Sequence, residues 1–234
     1  MLRELIEVFR TSAPLRKMGE NFSRMIQIAY DMTVSAGEVY FGKPTTPEER
    51  TRLYERDVEV NKLERAIRKQ VIAHLAVHGN APSLPYCLLL MSLVKDVERL
   101  GDYAKNLVEV TDVRPEPLPD DDNTGELRAI RAGVESAFGV TAEAFHACDR
   151  ECTTDLIRQG RDLAHRCDAL VASVMRSDYD ASTAVAIAMG ARFYKRLGGH
   201  VLNVLSSVVM PLHKLDFHDE DEFPSPVTDS AEDE

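Results

Sequence analysis

The 234-residue sequence contains no tryptophan, and aromatic residues make up only 6% of it. Aromatic stacking platforms for single-stranded nucleic acid are therefore not expected. No apolar run approaches the roughly 20 residues of a membrane-spanning helix, and the first ten residues, which mix acids with apolar residues, do not resemble a secretory signal. The four cysteines follow no disulfide-framework spacing, which favours reduced thiols and a cytoplasmic location.

Negative charge is unevenly distributed along the chain. Nine of the eleven net negative charges fall in residues 216–234, which contain no lysine or arginine, so the rest of the chain carries a net charge of −2. A body without a basic stripe is not typical of a DNA-binding protein. The acidic tail, which includes two prolines, has the composition of a disordered segment, and its plainest role is to keep the protein soluble.

Apolar residues recur every three or four positions along most of the chain, and strand patterns are weak. The sequence therefore predicts an all-α fold of six helices. The first spans about 2–41, with a break near Pro14. Thr46, followed by Pro47, is placed to cap the second helix, and Ser83 is placed to cap the third. The last three helices are expected at about 126–148, 149–176 and 182–215.

The chain divides into two similar halves. Residues 112–125 contain three prolines and five acids, which is typical of a linker. We therefore expect one three-helix bundle in residues 1–111, a second in residues 126–215, and the acidic tail after it. Segments 98–106 and 195–203 share an arginine, a leucine, a glycine and an asparagine at the same offsets, which indicates a duplicated unit.

Acidic side chains repeat at helical spacing in the first half. Glu98 and Asp102 are four residues apart, and Asp57, Asn61 and Glu64 follow the same helical face earlier in the chain. Like charges at this spacing destabilise a helix by roughly 0.2–0.5 kcal/mol, so a cation is expected beside them.

The ordinary interpretation of this pattern is a solvated face. Neighbouring basic residues would then neutralise the acids at the surface, each pair contributing little; the candidates are Lys95, Arg99 and Lys105.

Two motifs in the first half resemble the PhoU family. One runs from Asp57 to Glu64 with the sequence DVEVNKLE, and the more specific one runs from Val97 to Asn106 with the sequence VERLGDYAKN. With the duplicated layout, the resemblance covers nearly the whole chain except the tail. It implies two tandem PhoU-like three-helix bundles and a non-enzymatic accessory or regulatory role in phosphate transport and phosphate signalling.

The resemblance also implies partners. The protein would dock onto a phosphate transporter, of the ABC type or the sodium-phosphate type, or onto a phosphate sensor kinase. It would reach the membrane only through that partner and would not bind nucleic acid, and a homodimer is compatible with this role.

A metal is a further implication, because some PhoU-like proteins carry iron-type or zinc-type clusters at acidic motifs. A divalent or iron-type metal is expected, and the sequence does not choose among Fe, Mn, Mg and Zn. By that likeness the metal-binding residues would be Asp57, Asn61, Glu64, Glu98 and Asp102, with Asn106 adjacent. In the second half Lys195 and Gly199 occupy the positions of Glu98 and Asp102, so the second cluster is expected to be lost.

Two other classes of protein remain open on sequence alone. Glu143-x-x-His146 has the spacing of a ferritin-type di-iron motif, with Asp162-x-x-His165 a weaker second copy. A metal-carboxylate enzyme or metal store is therefore one alternative, and a metal-free helical adaptor is another. A zinc site at Cys148-x-x-x-Cys152 fits no established ligand spacing, so buried apolar cysteines are the better interpretation.

Overall fold

The structure is a computed structural model that describes residues 13–78, 83–147 and 150–215. These residues form six α-helices and no β-strand, as the sequence predicts. A single turn of 3-10 helix, Leu212–Lys214, follows the last of them. The helices are α1 (Ala13–Tyr40), α2 (Pro47–His78), α3 (Leu84–Val113), α4 (Asp122–Ala147), α5 (Arg150–Val174) and α6 (Ala181–Val209).

The helices pack as two three-helix bundles joined side by side. Helices α1, α2 and α3 all contact one another, and so do α4, α5 and α6. The bundles meet through α1 against α4 and α3 against α6, which leaves α2 and α5 on the outside. The predicted duplicated architecture is therefore confirmed, and each outer helix has one face against its own bundle and another toward solvent.

The periodic apolar positions of α1 form the core of the first bundle. Met18, Phe22, Met25, Ile26 and Ala29 are all buried, at no more than 2% exposure. They lie on one stripe because offsets of three and four return to the same face of a helix. The ring of Phe22 also meets the ring of Phe145 from the second bundle edge-on, with centroids 5.3 Å apart, so the two bundles share one apolar core.

The start of α2 follows from its capping residues. The Thr46 hydroxyl accepts a hydrogen bond from the Glu49 backbone N–H at 3.2 Å, and the Glu49 carboxylate accepts one from the Thr46 backbone N–H at 2.8 Å. This reciprocal pair is a capping box. Pro47 occupies the first helical position, where its missing N–H costs nothing. The predicted cap at Thr46 is confirmed.

The predicted cap at Ser83 is wrong. Ser83 has helical backbone angles and its side chain makes no capping hydrogen bond to α3. Its hydroxyl instead lies 2.9 Å from Nε2 of His74 on α2, and both side chains are buried. The hydroxyl therefore satisfies a buried imidazole rather than the helix end, which periodicity in the sequence cannot reveal.

The connection between the bundles is shorter than the predicted 112–125. Helix α3 continues to Val113, and α4 begins at Asp122. The Asp121 carboxylate accepts a hydrogen bond from the Thr124 backbone N–H at 3.0 Å, which starts α4 four residues before the expected position. Helix α6 ends at Val209 rather than at 215, because Pro211 follows.

None of the helices in the described ranges has the length and apolarity that crossing a membrane requires. The predicted helical segment before residue 13 and the acidic tail 216–234 lie outside the described residues.

Candidate functional site

The five predicted metal-binding residues lie on one face, formed by the outer helix α2 and the inner helix α3. We call this set the acidic face; its members are Asp57, Asn61 and Glu64 of α2 and Glu98 and Asp102 of α3. Except for Asp57, which is buried, they are of intermediate exposure. The structure therefore places the five residues on the α2–α3 face, but it does not gather three of their acids closely enough to hold a metal ion.

Core packing on both helices fixes the acidic face. Val60 and Ile67 of α2 are fully buried, as are Val97 and Ala104 of α3. Asn61 and Glu98 directly follow two of these anchors and therefore lie at the edge of the helix–helix contact. The acidic side chains are thus partly withdrawn from water yet supported by rigid backbone.

Lys105 lies between the two halves of the acidic face. Its Nζ is 2.9 Å from Oδ2 of Asp57 on α2 and 3.0 Å from Oδ1 of Asp102 on α3. Burial lowers the pKa of Lys105, but its hydrogen bonds to Asp57 and Asp102 outweigh that effect and raise the pKa above the ordinary value. The lysine is therefore held as an ammonium ion that bridges the two helices.

The surroundings of Glu98 disfavour its ionised form. Partial burial raises its pKa, and repulsion by Asp102 and then by Glu64 raises it further, against the opposing effect of Arg99. Arg99 Nε lies 3.6 Å from the Glu98 carboxylate, which is long for a hydrogen bond. Glu98 is consequently repelled by Asp102 on its own helix and by Glu64 across the α2–α3 contact.

The remaining contacts fix the α2 side of the acidic face. Asn61 Nδ2 donates to Oδ2 of Asp57 at 3.3 Å, and Arg68 pairs with Glu64 at 2.8 Å. Oδ1 of Asp57 is buried and accepts no hydrogen bond from any described residue. Each acid therefore has a contact on this face, but one oxygen of Asp57 is left without a donor.

This arrangement does not fit a bound metal ion. Nowhere in the described ranges do three or more His, Cys, Asp or Glu side chains gather closely enough to hold one. Hard cations need about six oxygen ligands at 2.0–2.6 Å, whereas here the ammonium of Lys105 occupies the gap between Asp57 and Asp102. The metal assignment stays a prediction, and it requires Lys105 to move away.

The equivalent face of the second bundle has one carboxylate. Asp168 of α5 pairs with Lys195 of α6 through a short contact, and Arg192 lies 3.5 Å from the same carboxyl group. Gly199, at the position of Asp102, has open space where a side chain would extend. In both bundles a lysine of the third helix therefore pairs with an aspartate of the second helix.

The other metal-site candidates find no support in the described residues. Glu143, Asp162 and His165 are exposed. Cys148 lies outside the described residues, and Cys152 is exposed. Burial, and to a smaller extent the charge of Asp168, raises the pKa of Cys167 to about 12, so that thiol stays protonated and is a poor ligand.

Sequence reasoning missed a polar cluster between the bundles. Oδ1 of Asp96 on α3 accepts a hydrogen bond from Asn203 Nδ2 and lies 2.8 Å from His200 Nδ1, both on α6. The His200 ring also stacks on Tyr103, its equivalent in the first bundle, with centroids 5.7 Å apart. The available signal in the sequence is that His200 aligns with Tyr103 in the repeat.

A tandem pair of three-helix bundles with an acidic face between its second and third helices defines the class of protein. Residues 22–111, which contain that face, match the family model described as PhoU domain. The first bundle therefore contains a PhoU domain.

Solved structures agree with this assignment at the level of the fold. The crystal structure of PhoU from Pseudomonas aeruginosa matches with a TM-score of 0.65 and 18% identity, covering 91% of this chain and 99% of that one. The phosphate transport system regulatory protein PhoU from Streptococcus pneumoniae matches with a TM-score of 0.69 and 14% identity, covering 90% of this chain and 97% of that one.

A curated relative matches over a shorter stretch. It is the phosphate-specific transport system accessory protein PhoU homolog of Rhizobium meliloti (strain 1021), which is 23% identical over 134 residues. The match covers 55% of this chain and 54% of the relative. The chain thus aligns with about half the length of the relative.

Proposed function

We propose that this protein is an accessory or regulatory protein of phosphate transport and phosphate signalling that acts by docking, without catalysing a reaction. The observation that carries the proposal is that the PhoU domain match, residues 22–111, contains the whole acidic face. The likeness in fold to two PhoU structures, over 91% and 90% of this chain, supports the same role. The curated relative, by its name, is an accessory protein of a phosphate-specific transport system.

The acidic face is the docking surface in this proposal. Its carboxylates are supported by two packed helices, so little side-chain freedom is lost when a partner binds. Glu64, Glu98 and Asp102 remain partly exposed, and Glu98 is repelled by the other two. A basic surface on a phosphate transporter, of the ABC or sodium-phosphate type, or on a phosphate sensor kinase would relieve that repulsion.

The test uses the native host with this protein removed. Phosphate uptake and the expression of phosphate-starvation genes are measured after returning either the natural chain or a Glu98→Gln, Asp102→Asn double variant. We expect the natural chain to restore both readouts and the double variant to fail, because it lacks two of the docking charges.

A matched control removes two acids elsewhere. Glu109 of α3 and Glu143 of α4 are exposed and lie outside the acidic face. A Glu109→Gln, Glu143→Gln variant has the same net charge as the test variant and is expected to restore both readouts. Restoration by the test variant as well would contradict docking through the acidic face.

A further inference from the structure

The first bundle contains an acidic face for which the family resemblance implies a metal, yet a lysine occupies it. We propose that a lysine from the third helix of each bundle takes the place of a bound metal ion, so that neither bundle needs a metal to hold its second and third helices together. The lysines are Lys105 in the first bundle and Lys195 in the second.

The geometry around Lys105 is that of a counter-cation and not of a surface lysine. Its ammonium contacts carboxylates on two helices, Asp57 at 2.9 Å and Asp102 at 3.0 Å, and only 20% of its side chain is exposed. An ammonium offers three donors and one positive charge, which is enough to bond both acids at once. A metal ion in the same gap would face a like charge at contact distance.

The second bundle also has a lysine that joins its third helix to its second helix, at a different position. Lys195, at the position of Glu98, extends from α6 to Asp168 of α5. Lys105, in contrast, aligns with Leu202, so the two lysines are not copies of one ancestral position. Both lysines join the third helix to an aspartate of the second helix, but the second pair is more exposed, with 33% of the Lys195 side chain and 49% of the Asp168 side chain accessible.

The ion pairs of the acidic face explain why its acids do not converge on one point, as the ligands of a metal cluster would. Lys105 pairs with one oxygen of Asp57 and with Asp102. Arg68 pairs with Glu64, and Arg99 lies 3.6 Å from Glu98. The acids are therefore distributed among cationic side chains and do not converge on one point. Nothing in this inference depends on the proposed function, since its readouts are metal content and thermal stability.

The experiment compares the full chain with a Lys105→Met variant, each treated with EDTA and dialysed, then measured without metal and with excess Mn²⁺. For the natural chain we expect no stoichiometric metal by elemental analysis and the same melting temperature in both conditions. For the variant we expect a melting temperature roughly 4–8 °C lower without metal and a partial recovery with Mn²⁺, because the acids then lack their cation.

The control is Lys62→Met, which removes an exposed lysine of α2 and is expected to melt like the natural chain. Stoichiometric metal in the natural chain as purified, or a melting temperature that EDTA lowers, would overturn the proposal even if the variant did not fold. A Lys105→Met variant that melts like the natural chain, or that Mn²⁺ does not stabilise, would overturn it as well.

Discussion

Lys105 of α3 donates a hydrogen bond to Asp57 of α2, with Nζ 2.9 Å from Oδ2, at the middle of the contact between the outer and inner helices of the first bundle. The pair is 48 residues apart in sequence and is mostly withdrawn from water. Because the lysine also contacts Asp102, one positive charge holds two carboxylates from different helices. The acidic face is therefore organised by a side chain of the protein itself.

Replacing Glu98 with glutamine is expected to raise stability at neutral pH. Burial, and then Asp102 and Glu64, raise the pKa of Glu98 above its ordinary value of 4.5, so the folded state disfavours the ionised form. A carboxyl group with a raised folded pKa loses stability as the pH rises from the unfolded pKa through the folded pKa. We expect Glu98→Gln to melt about 1–3 °C higher at pH 7.

The pH dependence of the melting temperature distinguishes loss of the Glu98 charge from a general effect of the substitution. The advantage of Glu98→Gln should shrink as the pH falls toward 4.5, where the natural side chain takes up a proton as well. Glu109→Gln, an exposed change on the same helix, should alter the melting temperature little at either pH. A Glu98→Gln variant less stable at pH 7 would mean that a cation neutralises Glu98 in the natural protein.

Removing Asp96 should weaken the contact between the two bundles. Its Oδ1 accepts a hydrogen bond from Asn203 and lies 2.8 Å from His200 Nδ1, and Asp96→Ala leaves both α6 groups partly buried without that acceptor. We expect the free energy of unfolding to fall by about 1–3 kcal/mol in urea. Lys95→Ala, at the exposed neighbouring position, should change it by less than about 0.5 kcal/mol. Equal effects of the two changes would contradict a bridging role for Asp96.

Two glycines of α6 should respond to alanine in opposite ways. A Cβ at Gly190 would lie 2.3 Å from the hydroxyl of Tyr40, which donates to the Ala186 carbonyl at 2.7 Å, so Gly190→Ala should cost about 1–3 kcal/mol. A Cβ at Gly199 meets nothing within 4 Å, so Gly199→Ala should gain about 0.5–1 kcal/mol from helix propensity. Urea unfolding of both variants checks the pair, and a destabilised Gly199→Ala would contradict the open space.

Periodicity and capping residues predict most of the fold. The all-α class, the six helices and the duplicated layout all follow from spacing, because each helix must bury one stripe against its neighbours. Thr46 and Pro47 set the start of α2 through local backbone chemistry, which a sequence displays directly. Ser83 could not be assigned correctly, since its partner His74 is nine residues away and becomes a neighbour only when α2 and α3 pack.

Which residues line the acidic face could be predicted, but how their charges are paired could not. Helical offsets place Glu98 and Asp102 on one face of α3, and the PhoU resemblance implies that this face meets Asp57 of α2. They do not say that Lys105, one turn beyond Asp102, reaches across to α2, because that depends on how closely the two helices approach. From the sequence alone this lysine is a surface charge of small effect, whereas in the structure it contacts acids from both helices.

The most direct test of this account is a double-mutant cycle on Asp57 and Lys105. The free energy of unfolding is measured for the natural chain, Asp57→Ala, Lys105→Met and the double variant, in metal-free buffer. If the lysine is the counter-cation that joins α2 to α3, the two changes should be coupled by about 1–2 kcal/mol. The losses of unfolding free energy in the two single variants should then sum to more than the loss in the double variant. A coupling of zero within error would contradict the account.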